Sequence, residues 1–128
     1  MKILITGAEG FVGAHLIEKL LSDGIVASDI YGTYYNEPGE NGEKYRINWF
    51  KCDVTAEAVM DDLDRINPDR IYHLAGQSSV GLSYKEPEET VLINVTGTLF
   101  ILKWLRLKNS RSKIDRLNAM QNTKIQIF

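Results

Sequence analysis

The stretch LITGAEGFVGAHL, residues 4–16, is the most informative segment of this 128-residue chain. It places Gly7, Gly10 and Gly13 at a spacing of three, directly after a short apolar run. Glycines at such positions let the backbone turn tightly and approach a pyrophosphate, whose charge then lies at the positive N-terminus of the next helix. A tight turn that binds no ligand is the alternative. The strand-like run before the glycines and the amphipathic helix pattern after them favour cofactor binding.

Strand and helix patterns alternate along the rest of the chain. Short apolar runs predict strands at residues 2–6, 47–52 and 70–74, and another within residues 25–36. Helical spacing predicts a helix from Phe11 to a stop at residues 23–24, one ending at residues 67–68, and a long one from Pro87. Residues 36–46 are predicted to form a solvated loop, and residues 124–128 a possible fifth strand. The chain is therefore predicted to be α/β, with a parallel sheet of four or five strands that helices cover on both faces.

The composition of the chain argues against several classes of binding partner. A net charge of −2 without a basic run predicts no nucleic acid or membrane-surface partner. We expect no apolar stretch near the roughly 20 residues that span a bilayer, and no signal peptide, so the protein is predicted to be cytoplasmic. The single cysteine, Cys52, is interpreted as a small buried hydrophobe and His73 as a packed rather than a catalytic side chain. His15 has no second metal ligand beside it, so no metal site is predicted.

Four motifs together resemble the extended short-chain dehydrogenase/reductase superfamily, also described as the NAD-dependent epimerases and dehydratases. They are TGAEGFVG, Asp53-Val54 after the third strand, HLAGQSSV after the fourth, and NVTGT in the long helix. YGTYYN and LAGQSSVGLSY are most similar to the GDP-mannose 4,6-dehydratases and the related GDP-4-keto-6-deoxymannose reductases. The resemblance implies a Rossmann-like doubly wound parallel sheet that is incomplete at four or five strands, with residues 1–107 as the N-terminal part of an NAD(P)-binding domain. It also implies that residues 108–128 are a divergent tail and that the substrate domain is absent.

The resemblance also implies roles for individual positions. The pyrophosphate would face the three glycines and the amides of Phe11 and Val12, and the adenine would meet Asp53 and Val54. An acid favoured by a helix N-terminus is the alternative for Asp53. The remaining implied cofactor-binding residues are Leu74, Ala75, Gly76 and Asn94, and the implied substrate-side residues are Gln77, Ser78 and Ser79.

The position that distinguishes NAD from NADP stays open. A ribose-binding acid is expected about 20 residues past the glycines, at the end of the second strand. If that strand is residues 25–28, Asp29 is the acid and the cofactor is NAD. If it is residues 28–33, the strand ends at Tyr34 and Tyr35, and Tyr34 meets the cofactor without an acid or an arginine beside it. The cofactor is thus NAD or NADP.

No catalytic residue is assigned. The superfamily's chemistry needs a tyrosine with a lysine four residues later, and none of the six tyrosines has one. We expect a truncated, catalytically incomplete portion of a nucleotide-sugar dehydratase, epimerase or reductase, whose sugar nucleotide would bind only in a full-length form. A stand-alone dinucleotide-binding module and a non-catalytic interaction protein are the alternatives. A homo-oligomer is expected because an open sheet edge and part of the long helix's apolar stripe would stay uncovered.

Overall fold

The computed structural model describes residues 1–76, 80–114 and 124–127. Its centre is a parallel sheet in the order β3-β2-β1-β4-β5. The five strands are β1 Ile3–Thr6, β2 Ile30–Tyr34, β3 Asn48–Lys51, β4 Arg70–His73 and β5 Lys124–Ile127. The chain winds outward from β1 in one direction to β2 and β3 and in the other to β4 and β5. This reversal creates a crevice at the carboxyl ends of the central strands.

Five α-helices lie among the described residues, and they connect the strands. They are α1 Phe11–Ser22, α2 Gly39–Lys44, α3 Val59–Ile66, α4 Val80–Lys85 and α5 Pro87–Ile114. Gly24, with φ +86°, follows the end of α1, and Asn67 closes α3 in the left-handed conformation with φ 50°. Both endings agree with the stop signals of the sequence, since glycine and asparagine adopt this conformation most readily.

Two apolar cores lie on opposite faces of the sheet. Leu4 of β1 packs with α3 and α5 on one face, together with Leu63, Ile101 and Trp104. Ile3 and Ile5 point to the other face, where they pack with residues of α1. Successive side chains of a strand alternate between faces, so an apolar β1 buries both of its sides. This is the pattern of a parallel sheet covered by helices on both faces, as the sequence predicts.

One local expectation is corrected, because a short helix, α2, occupies part of the predicted loop 36–46. The short helix α4 is not predicted by the sequence. Of the two alternatives for the second strand, the structure agrees with the later one, since β2 begins at Ile30 and Asp29 precedes it. Contacts with α1 explain why α2 forms, because the side chains of Lys44 and Tyr45 donate hydrogen bonds of 2.6 Å to Glu18 of α1. Such tertiary contacts stabilise a helix that is too short to form alone.

The long helix α5 turns most of its predicted apolar stripe outward. Val91, Val95, Leu99 and Leu102 are between 44% and 59% exposed, whereas Ile101 and Trp104 are buried against the sheet and α3. The expectation that no apolar stretch is long enough to span a bilayer is wrong. Within the described residues, the segment Pro87–Asn109 passes that test by length and composition. One face of α5 packs on the core of the domain, and most of the segment is exposed.

Candidate functional site

A cleft of about 830 Å³ opens where the carboxyl ends of β1 to β4 meet the N-terminus of α1 and one side of α5. It brings together nearly all of the predicted cofactor-binding residues. They are Gly7, Gly10, Phe11, Val12, Gly13, Asp53, Val54, Leu74, Ala75, Gly76 and Asn94. Tyr34 does not line the cleft, and its neighbour Tyr35 does. Gln77, Ser78 and Ser79 lie outside the described residues.

The structure explains the three glycines of the loop in two different ways. Gly7 has φ +68°, and a Cβ atom there would lie 2.7 Å from the backbone nitrogen of Ala75. A Cβ at Gly13 would overlap the backbone of Ala8. Gly10, however, has an ordinary φ of −79°, and its added Cβ would meet only the Gly7 carbonyl oxygen, at 3.4 Å. Packing therefore requires glycine at positions 7 and 13, whereas at position 10 the missing side chain only keeps the cleft open.

The N-terminus of α1 presents backbone donors to the cleft. Gly10 is the N-cap residue, and no side chain caps this end of the helix. The amides of Phe11, Val12 and Gly13 have no carbonyl one turn earlier to accept their hydrogen bonds. No acidic residue lies in the first turn of α1. Free amides and the positive end of the helix dipole together make a site for an anion such as a pyrophosphate.

The glycine loop is fastened to β2 and α2. Thr33 accepts two hydrogen bonds of 3.0 Å, from the Gly7 amide to its hydroxyl and from the Ala8 amide to its carbonyl. The Asn41 side-chain amide lies within hydrogen-bond distance, 3.0–3.1 Å, of the carbonyls of Ala8, Glu9 and Gly10. Asn41 thus holds the loop carbonyls to the side, so that the amides remain directed at the cleft. Sequence reasoning missed Asn41, because its role depends on a helix that the loop-like composition did not predict.

Glu9 is a second residue that the sequence did not single out. Its Oε1 accepts a hydrogen bond from the Tyr35 amide at 3.1 Å, so the carboxylate lies just past the end of β2. Its Oε2 is buried and has no hydrogen-bond partner among the described residues. Asp29, the acid expected at the ribose if the second strand ended at residue 28, lies 3.2 Å from the terminal amino group of Met1 at the opposite end of the strand. That expectation is wrong.

Asp53 lies in a turn at the edge of the cleft. Its Oδ1 accepts hydrogen bonds from both the amide and the hydroxyl of Thr55, at 2.9 and 2.6 Å. The alternative of an acid in the first turn of a helix does not hold, since α3 begins only at Val59. Val54 is buried against α5, where a Cβ added to Gly97 would lie 2.9 Å from its Cγ2. The close approach of α5 therefore fixes the turn that carries Asp53.

Two titratable side chains near the cleft are buried. His73 is 3% exposed, and its Nδ1 lies 2.7 Å from the Thr6 hydroxyl. Burial lowers the pKa of His73, so the imidazole stays neutral at physiological pH. Burial, with a smaller contribution from Asp62, raises the pKa of the Cys52 thiol to about 12. Both side chains are packed, as interpreted from the sequence, and Cys52 is not a thiolate nucleophile.

The far end of the cleft lies between the residues after β4 and α5. A Cβ at Gly76 would come within 2.9 Å of the Asn94 Oδ1, so the helix side chain closely approaches the backbone there. The charged residues that line the described cleft are all acidic: Glu9, Asp53 and Glu89. Among the described residues no group of three or more potential metal ligands occurs. Binding here therefore depends on backbone donors, small residues and carboxylate acceptors.

A glycine loop that leads into a helix N-terminus, at the point where a doubly wound sheet reverses, defines the Rossmann-like class of α/β protein. The family model described as GDP-mannose 4,6 dehydratase matches residues 4–120, and the chain belongs to this family of NAD-dependent epimerases and dehydratases. The superfamily and the fold class that the sequence predicts are thereby confirmed.

Several curated relatives cover most of this chain. UDP-glucose 4-epimerase of Mycolicibacterium smegmatis is 33% identical over 89% of this chain and 37% of its own length. UDP-glucuronic acid decarboxylase 3 of Arabidopsis thaliana is 35% identical over 80% of this chain and 29% of its own. GDP-mannose 4,6-dehydratase of Vibrio cholerae is 30% identical over 80% of this chain and 30% of its own length. The chain thus spans about a third of the length of the curated relatives it matches.

Solved structures show the same fold. The UDP-glucose 4-epimerase of Thermus thermophilus, in complex with NAD, matches with a TM-score of 0.68 and 26% identity, over 84% of this chain and 34% of that one. The UDP-glucose 4-epimerase of Thermotoga maritima, with UDP-glucose, matches with a TM-score of 0.70 and 28% identity, over 81% and 33%. Since epimerases and decarboxylases match as well as a GDP-mannose dehydratase does, the narrower likeness stays a prediction.

Proposed function

We propose that this chain is the NAD(P)-binding portion of a nucleotide-sugar dehydratase, epimerase or reductase, with a GDP-mannose 4,6-dehydratase-like activity in the full-length form. The observation that carries the proposal is Gly10. No backbone strain and no close neighbour requires a glycine there, yet its missing side chain opens the cleft above the free amides of α1. A ligand that approaches the backbone closely accounts for this glycine, and a pyrophosphate fits the donors present.

The remaining cleft residues suit the other parts of a dinucleotide. The pyrophosphate would accept hydrogen bonds from the amides that follow Gly10. Asp53 would accept a hydrogen bond from the exocyclic amine of the adenine at Oδ2, because Oδ1 already accepts two hydrogen bonds from Thr55. Ala75 and Gly76 would lie under the nicotinamide ribose and ring, and Asn94 would brace them from α5. A bound nicotinamide supplies a hydride acceptor and donor for the sugar.

Proton transfer to the sugar needs a further group. The 128 residues contain no tyrosine with a lysine four positions later. We therefore assign proton transfer and sugar binding to the full-length form, with Gln77, Ser78 and Ser79 as predicted substrate-side positions. The cytoplasmic location stays a prediction. So does a homo-oligomer, for which the exposed apolar stripe of α5 is the expected surface.

Titration of NAD⁺ and NADP⁺ into the folded chain by isothermal calorimetry tests the proposal. We expect weak but saturable binding of at least one dinucleotide, with competition by ADP, which carries the adenosine and pyrophosphate parts. Absence of binding by either dinucleotide at millimolar concentration, in a sample that unfolds cooperatively, would favour the alternative of a non-catalytic interaction protein.

A further inference from the structure

A carboxylate lies where the adenosine ribose of a dinucleotide would be recognised, and it comes from the glycine loop. Doubly wound folds commonly place an acid at the end of the second strand, where it accepts hydrogen bonds from the ribose hydroxyls. The second strand here reads IYGTY and contains no acid, and Asp29 lies at its opposite end. Glu9, which belongs to the neighbouring loop, lies at the equivalent place. Its Oε1 accepts a hydrogen bond from the amide of Tyr35, one residue past the end of the strand.

The second oxygen of this carboxylate lacks a partner. Glu9 Oε2 is shielded from water, and no donor among the described residues reaches it. A buried acceptor without a hydrogen bond is unfavourable, so the arrangement gains when a donor from a ligand completes it. Glu9 lines the cleft and is only partly buried as a residue, so a turn of its carboxylate would bring Oε2 to a ribose 2′-hydroxyl, which can donate. A 2′-phosphate cannot serve in this way, because it is anionic at neutral pH and would face a carboxylate.

The charges around this end of the cleft also favour a 2′-hydroxyl over a 2′-phosphate. Glu9 and Asp53 line it, and the described lining includes no lysine or arginine that could pair with a 2′-phosphate. A basic residue at the same end of the sheet is Lys51, which ends β3 opposite Tyr34 in the strand register. Lys51 is exposed and does not belong to the described lining.

We infer that Glu9 is a specificity-determining residue that selects a dinucleotide with a free adenosine 2′-hydroxyl, NAD, over the 2′-phosphorylated form, NADP. The carboxylate accepts the 2′-hydroxyl at Oε2 and repels a 2′-phosphate. Its position is set by the Tyr35 amide at Oε1. This inference rests on the proposed function, since it concerns the same cleft.

Calorimetric titration of NAD⁺ and NADP⁺ into the wild-type chain and into Glu9→Gln tests the inference. Glutamine keeps an acceptor for the Tyr35 amide, so the loop should keep its position. We expect the wild-type chain to bind NAD⁺ at least tenfold more tightly than NADP⁺, and Glu9→Gln to reduce this ratio at least tenfold, mainly by improving NADP⁺ binding. Glu43→Gln is the matched control, because it removes the same charge from an exposed site on α2 outside the cleft lining, and its ratio should equal that of wild type.

The outcomes separate the two proposals. Binding of both dinucleotides with a ratio that Glu9→Gln leaves unchanged would overturn the role of Glu9 and leave the proposed function standing. A wild-type preference for NADP⁺ would also overturn it and would point to Lys51. Binding of neither dinucleotide would refute both proposals. The wild-type ratio, and competition by 5′-AMP against adenosine 2′,5′-bisphosphate, do not depend on a variant and decide the matter even if Glu9→Gln folds poorly.

Discussion

Alanine at Gly10 and alanine at Gly13 should separate ligand binding from folding. At Gly10 the added methyl group meets a single atom at 3.4 Å, and φ is −79°, so the backbone is not strained. Alanine is a poorer N-cap than glycine by about 0.5–1 kcal/mol, and the less flexible unfolded chain offsets this by about 0.4–1 kcal/mol. We expect the free energy of unfolding of Gly10→Ala to lie within about 0.5 kcal/mol of wild type.

Gly13→Ala should instead destabilise the fold. Its Cβ would lie 2.7 Å from both the Cα and the carbonyl carbon of Ala8, and backbone atoms cannot move aside as a side-chain end can. Such overpacking typically costs about 1–3 kcal/mol, and the better helix propensity of alanine returns about 1 kcal/mol. The net loss is up to about 2 kcal/mol. With a urea m-value of about 1–3 kcal/mol/M, the unfolding midpoint falls by up to about 2 M.

The NAD⁺ affinities should follow a different order. The methyl group of Gly10→Ala enters the space above the α1 amides, and we expect at least a tenfold loss of affinity, about 1.4 kcal/mol. Urea unfolding monitored by circular dichroism and calorimetric titration of NAD⁺ measure the two quantities on the same samples. Wild-type affinity in Gly10→Ala would refute the argument that this glycine keeps the cleft open for a ligand. A stability loss there above about 2 kcal/mol would refute the packing argument.

Three further predictions concern other residues. Asn41→Ala should lower the unfolding free energy by about 1–2 kcal/mol and weaken NAD⁺ binding, because hydrogen bonds to the loop carbonyls are lost; the exposed Asn36→Ala is the control, and equal effects would contradict the positioning role. Burial lowers the pKa of His73 in the folded chain. The contribution of His73 to the free energy of unfolding should therefore be complete above pH 6.5 and should fall as the pH drops below 6.5, by at most about 1.4 kcal/mol per pH unit. His73→Gln should flatten this pH dependence in urea titrations, and the exposed control His15→Gln should not. The chain should not convert GDP-mannose with either cofactor, since general acid–base catalysis contributes about 10²–10⁴-fold and no Tyr–Lys pair is present; product detected by chromatography with a purified sample would refute this.

The sequence predicts the parts of the fold that local patterns determine. The glycine loop, α1, α3 and the start of α5 at Pro87 follow from turn residues and helical spacing, and the structure confirms them. It does not predict α2, because six residues of polar composition become a helix only through contacts between Lys44, Tyr45 and Glu18. Contacts made only in the folded chain carry information that spacing along the sequence does not.

The same limit applies to the site and to the buried face of α5. Val95 and Leu99 fit an apolar stripe as well as Ile101 and Trp104 do, and only the docking against α3 decides which face is covered. Glu9 stands in the middle of a glycine motif, where nothing in its spacing suggests ribose recognition. Its position depends on the loop folding back onto the end of β2. Spacing alone leaves cofactor selectivity open, because the side chain proposed to decide it does not lie on the strand where such an acid is expected.

The contacts of Gly7 explain why the cleft is formed in the chain alone. The positive φ of Gly7 turns the chain directly against Ala75, so that the loop after β1 and the segment after β4 touch through their backbones. Thr6 strengthens this junction, since its carbonyl accepts the Leu74 amide at 3.1 Å and its hydroxyl accepts the Ala75 amide at 3.3 Å. The walls proposed for the pyrophosphate and for the nicotinamide are therefore held together by the fold itself. A dinucleotide that bound across these two walls would not have to bring them together, and preorganisation of this kind leaves more of the contact energy for affinity.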